Sequence, residues 1–167
     1  MTGSRRLIAL ASLACACAAG SAPPAGEVLQ VMEDFTMTQT ADGQLLWRLK
    51  ARNADISIDG AARITEPELL FYRKGAHAST ARARKGTVTV QAGVNNVVLE
   101  EEVVILAHAE KTTLHTSRLD YSTKDRRFRT REEVLIIRPD ARIKGKGMEA
   151  DEALTDITLY KQKTVLK

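Results

Sequence analysis

Aromatic residues make up only 4% of this 167-residue chain, although its apolar share is an ordinary 44%. A core must therefore be lined mostly by Val, Ile, Leu and Ala. Cysteine is absent after Cys17, so the domain that follows holds no disulfide. Histidine occurs three times, as His77, His108 and His115. His108 and His115 could meet across a hairpin, but there is no cysteine and no third ligand beside them, which argues against a metal site. Ser57, Ser79, Ser117 and Ser122 sit in strand or turn patterns without a Gly-flanked elbow or an adjacent base. No catalytic residue, cofactor or metal is expected. Charge of one sign is not in large excess: 25 Lys and Arg face 21 Asp and Glu, a formal +4. Setting aside Arg5 and Arg6 leaves 23 against 21, or +2. So mixed a surface is no nucleic-acid footprint, whatever the pI of 9.2 suggests. No stretch carries a sustained helical period.

The first residues form an export signal. Arg5 and Arg6 supply the positive end, and Leu7 to Ala18 is apolar or small. The run is too short for a permanent span, which needs about 20 residues. Cys15 and Cys17 stand at its end and are candidate lipidation sites. Plain cleavage by a signal peptidase is the competing reading, and the sequence favours neither. Residues 1–19 are read as the signal, 20–27 as a Pro/Gly/Ser/Ala linker and 28–167 as one β-domain.

Within that domain the chain repeats itself. Glu101-Glu102-Val103-Val104-Ile105-Leu106 returns as Glu132-Glu133-Val134-Leu135-Ile136-Ile137. Leu114 to Tyr121 has its counterpart in Ile143 to Ala150. A period of about 30 residues suits one supersecondary unit, here a pair of hairpins. Elsewhere the period is two. Leu45, Trp47, Leu49 and Ala51 share one face, Ala54, Ile56 and Ile58 another, and Thr87-Val88-Thr89-Val90 alternates again. Asp59-Gly60, Lys74-Gly75, Lys85-Gly86, Lys124-Asp125 and Pro139-Asp140 read as turns. Pro67 suits a bulge or an edge. Strands of about five residues with turns every eight to twelve imply an all-β sandwich, jelly roll or barrel of roughly fifteen strands. Stacked hairpins leave its ends open.

The apolar faces of these segments nominate Trp47, Leu49, Ile56, Val88, Val90, Leu119, Tyr121, Phe128 and Ile136 as inward residues able to line a conduit for a long apolar ligand. A slip of one residue would reverse any of them. In Lys124 to Arg131, alternation puts Arg127, Arg129 and Arg131 outside and Phe128 in the core. The competing reading gives those arginines to anionic phosphates. Glu100 to Glu102 and Glu132-Glu133 read as surface charges at strand starts, where they also discourage stray edge pairing.

Two sets of residues carry a family likeness. Phe35-Thr36-Met37-Thr38-Gln39-Thr40-Ala41-Asp42-Gly43, followed by Leu46-Trp47-Arg48-Leu49-Lys50-Ala51, resembles the opening strand pair of the LptC family of periplasmic lipopolysaccharide transport proteins. Glu66-Pro67-Glu68-Leu69-Leu70-Phe71-Tyr72 resembles its next strand, and Leu114 to Tyr121 with Ile143 to Ala150 resemble repeats shared with LptA. The likeness spans about Val28 to Tyr160. It departs at Glu101 and Glu102, where the family often has Gly, and in the short Cys-containing signal in place of a retained membrane helix. The resemblance implies a twisted, open-ended antiparallel β-jelly roll with a V-shaped apolar groove for acyl chains. It also implies a periplasmic domain attached to or associated with the inner membrane. The implied partners are lipopolysaccharide, the inner-membrane ABC exporter at one edge and an LptA-like bridge protein at the other. Three functions are weighed: a lipid conduit, an edge-binding scaffold that carries no lipid, and a hydrolase. The missing nucleophile and base disfavour the last.

Overall fold

The computed structural model describes residues 28–91 and 94–166. Eleven strands follow one another: β1 Val28–Ala41, β2 Gln44–Ser57, β3 Ala62–Thr65, β4 Glu68–Arg73, β5 Ala76–Arg82, β6 Lys85–Gln91, β7 Val94–Ala107, β8 Thr112–Ser122, β9 Arg127–Ile137, β10 Ala141–Asp151 and β11 Ile157–Leu166. All pairings are antiparallel, and all strands belong to one sheet.

The register reveals a simpler design beneath the count. Along β2, pairing runs from Lys50↔Glu68 to Asn53↔Thr65 without a slip. So β3 and β4 are halves of one strand, interrupted at Glu66-Pro67. The same holds for β5 and β6, since Glu68↔Arg82 continues to Thr65↔Lys85. Eleven strands, with two such split pairs, make nine long runs. Each run pairs only with its neighbours along the chain. The molecule is an up-and-down meander, with β1 and β11 as its two unpaired edges among the described residues. Hairpins with short turns dictate this order. At Lys74-Gly75, for example, both central residues take positive φ, 51° and 76°, as a twist-matched two-residue turn demands.

Each run bends near its middle, and the bends line up. Glu33↔Asn53, Asn53↔Thr65, Thr65↔Lys85, Lys85↔Glu100 and Glu100↔Arg118 trace a row across successive strands. Backbone irregularities gather along it: Asp34 at φ 49°, Glu66 at 51°, Glu101 at 64°, Glu102 at 54° and Gly147 at 74°. The register slips in β7 between Glu100 and Val103, and between β8 and β9 across Thr116 to Asp120. Bulges of this kind bend a strand without ending it. The row is a crease, and the sheet folds over along it.

Folding brings the two half-sheets face to face over one core. Phe71, on one half, meets Tyr121 and Phe128, on the other, edge to face at 4.9 and 5.1 Å. The inward set changes parity at the crease. Trp47, Leu49 and Ala51 give way to Ala54, Ile64 to Leu69, and Leu114 to Leu119 and Tyr121.

Three expectations are corrected here. The strands number eleven, not about fifteen. A repeat unit is a single hairpin of two long bent strands, β7–β8 or β9–β10, rather than a pair of short hairpins. Glu101-Glu102 and Glu132-Glu133 mark mid-strand bends, not strand starts, because a bulge carries the ladder past them. Pro67 does sit at an interruption, buried, with its carbonyl accepting the Ala83 N–H at 3.2 Å.

Candidate functional site

The space between the half-sheets is the candidate site. Alternation within each half-run aims its side chains there, and the crease keeps both halves aimed inward. Of the nine nominated residues, Trp47, Leu49, Val88, Leu119, Tyr121, Phe128 and Ile136 are buried in one cluster. Ile56 is half-buried against them. Val90 follows Val88 on the same face, but it lies at the end of β6 beyond the packed region and is 55% exposed. The sequence reading did not single out Leu69, Phe71, Val97, Leu99, Ile105, Leu114 or Met148, all of which are buried in the same cluster. Several lie in all-apolar runs, where alternation gives no signal. Cys15 and Cys17, the signal and the linker lie outside the described residues.

Side chains fill this interior. It loosens toward the β11 edge, where Ile143, Ile157 and Leu159 are only half-buried. An open cavity of about 770 Å³ lies apart from these three residues, at crease level across β7 to β11, lined in part by Glu102, His115, Glu133, Leu135, Lys144 and Lys161.

Opposite the crease, the margins of the two half-sheets form a mouth, and the turn between β10 and β11 closes it. Leu154, in that turn at φ 55°, is fully buried in the core cluster. Glu152 is 3% exposed. The Tyr121 hydroxyl donates to one of its carboxylate oxygens at 2.5 Å, and Arg126 Nε donates to the other at 3.1 Å. The Ser79 hydroxyl donates to the Glu152 carbonyl. Arg73 crosses from the facing half-sheet to Asp151 at 2.8 Å. Burial first, and then the Glu152 carboxylate, push the Tyr121 phenol far above its ordinary value. Burial works against ionised Asp151, but hydrogen bonds from Thr155, the Asp156 N–H and Arg73 outweigh it and hold the carboxyl below its ordinary value. This turn is a clasp. It escaped sequence reasoning because its contacts join residues far apart in the chain, such as Ser79 with Glu152 and Arg73 with Asp151.

The arginine run behaves as its outer-face reading requires. Phe128 is fully buried, while Arg127 pairs with Asp156 at 2.9 Å and Arg129 with Asp125 at 2.6 Å. Those two cations are neutralised within the chain, which weakens their assignment to phosphates. His108 packs against His77, with ring centroids 4.4 Å apart and planes inclined at 52°, while His115 faces Val104 in register. Among the described residues, no group of three or more His, Cys, Asp or Glu is placed to hold a metal ion, and no helix is long and apolar enough to cross a membrane.

A comparison with protein families matches residues 9–167 to the model described as "Lipopolysaccharide-assembly, LptC-related". No curated protein matches the chain.

Proposed function

Because the chain belongs to the LptC family, we propose that it is a non-enzymatic conduit that passes lipopolysaccharide from an inner-membrane ABC exporter towards an LptA-like bridge protein. A role in lipopolysaccharide transport comes with the family. The finer step is supported chiefly by one observation: a continuous apolar interior runs across the folded meander between two edges that are unpaired among the described residues. Acyl chains suit such a lining, since each CH₂ removed from water contributes roughly 0.8 kcal/mol. The edges suit partner docking by strand addition. The domain would work in the periplasm beside the inner membrane, held by a lipid on Cys15 or Cys17 or by its partners. Intact mass of the mature protein would reveal that lipid.

The tight packing of the interior favours a second reading, a scaffold that joins partners by its edges and carries no lipid. Site-specific photo-crosslinking during transport separates the two. A conduit must part its half-sheets, so a crosslinker replacing inward Leu119 should capture lipopolysaccharide and one at outward Asp120 should capture little. Equal capture at both positions, or none at either, would leave the scaffold.

A further inference from the structure

Charge is ordered along the outer side of the crease. β2 brings Arg52, the β3–β4 corner Glu66, the β5–β6 junction Arg84 and Lys85, β7 Glu101 and Glu102, and β8 Arg118. Arg52 pairs with Glu66 at 3.5 Å, Arg84 with Glu102 at 3.0 Å and Lys85 with Glu101 at 2.8 Å, while Arg118 pairs with Glu100. The sign alternates from run to run, beginning with Asp34 on β1. On β9, Glu133 continues it and stands opposite Lys146 of β10 in register. Then alternation fails, because Lys146 meets Lys161 on β11. Like charges directly opposite in an antiparallel pair repel. Neither lysine makes an ion pair among the described residues, and both are exposed. Past Lys161 lies an edge that is unpaired among the described residues.

We propose that the β11 edge selects its partner strand by this charge: it takes the edge strand of a partner with the same folded-meander architecture, carrying an Asp or Glu at crease level beside Lys161. The proposal rests on the edge-docking reading above. Backbone hydrogen bonds along a free edge attract any strand and set no register. A carboxylate at crease level does set one, because a slip of two residues keeps every side chain on its face yet moves the charge off the lysines. β1 shows that such an edge strand exists in this architecture, with Asp34 at the crease. The surplus cation is thus an unfinished step of the series rather than a defect.

The test measures binding of the full chain to the LptA-like bridge protein of the same cell by titration calorimetry. K146E/K161E should weaken binding about tenfold or more, the loss should shrink in high salt, and replacing the bridge's crease-level carboxylate by Lys should restore it. K146Q/K161Q should melt no lower than the parent, since it removes a repelling pair, which separates docking from folding. Parent-like affinity of K146E/K161E would overturn the charge register and leave edge docking intact. No binding by the parent would remove edge docking and this proposal with it. Two further results would overturn the chosen partner: self-association abolished equally by Asp34→Lys and K146E/K161E, which identifies a second copy, or lysine-dependent binding to lipopolysaccharide vesicles alone, which identifies lipid phosphates.

Discussion

Replacing Glu152 tests the clasp. Its carboxylate is almost wholly buried and receives Tyr121 Oη at 2.5 Å and Arg126 Nη2 at 2.5 Å. Glu152→Gln keeps an acceptor for the phenol and removes the charge. A hydrogen bond to a charged group contributes about 1.5–3 kcal/mol. Arg126 is nearly half exposed and can return to water, so its share lies at the low end. The expected loss for Glu152→Gln is about 1–2 kcal/mol. Glu152→Ala also orphans the buried Tyr121 hydroxyl, which brings the loss to about 3 kcal/mol. For a domain of this size each kcal/mol lowers Tm by roughly 2–4 °C, so the alanine variant should melt about 6–12 °C lower. Differential scanning calorimetry gives both values. A double-mutant cycle of Glu152→Gln with Tyr121→Phe should show coupling of about 1 kcal/mol. Additive effects within a few tenths of a kcal/mol, or an alanine variant that melts with the parent, would refute the clasp. Under the conduit reading, either substitution should also raise lipid capture at Leu119.

Two more predictions follow from the same geometry. The folded Asp151 carboxyl titrates below its ordinary value of 3.8, so its stabilising contribution is complete above that value and disappears as pH falls through the folded pKa. The β10–β11 turn should therefore keep its hydrogen-exchange protection near pH 6 and lose it first on acidification below about pH 4, and loss on raising the pH would be the wrong sign. Gly147 has φ +74°, and a Cβ there would stand 2.8 Å from the Tyr160 ring. Gly147→Ala should cost about 1–3 kcal/mol in chemical denaturation, and Tyr160→Ala in the same chain should recover only the steric part.

Much of the fold could be read in the sequence, and the exceptions share a cause. Alternation found Trp47, Leu49, Leu119 and Phe128, and all four are buried. The repeat found the period but not the unit, which is one hairpin and not two, and Asp59-Gly60 found a turn, where Gly60 N–H donates to the Ser57 carbonyl at 2.9 Å. The bend in β7 was missed because glutamates carry it. Glu101 and Glu102 hold the positive φ usually given to glycine, so nothing in the composition separates a bent strand from two short ones. That ambiguity inflated the strand count. Val90 was over-read because alternation reports a face and not how far the packed region extends. The clasp joins residues as distant as Arg73 and Asp151, and no local pattern encodes such a meeting.

The meander order also bears on how the protein comes into being. Every run pairs with the run made just before it, so no long loop must close before the sheet can grow. A chain threaded across a membrane from its amino terminus could add one run at a time, each new strand settling on the edge left by the last. The clasp must wait until the β10–β11 turn has been made. Strand addition at the finished β11 edge would then repeat the step that built the molecule, so that assembly with a partner continues folding across a chain boundary.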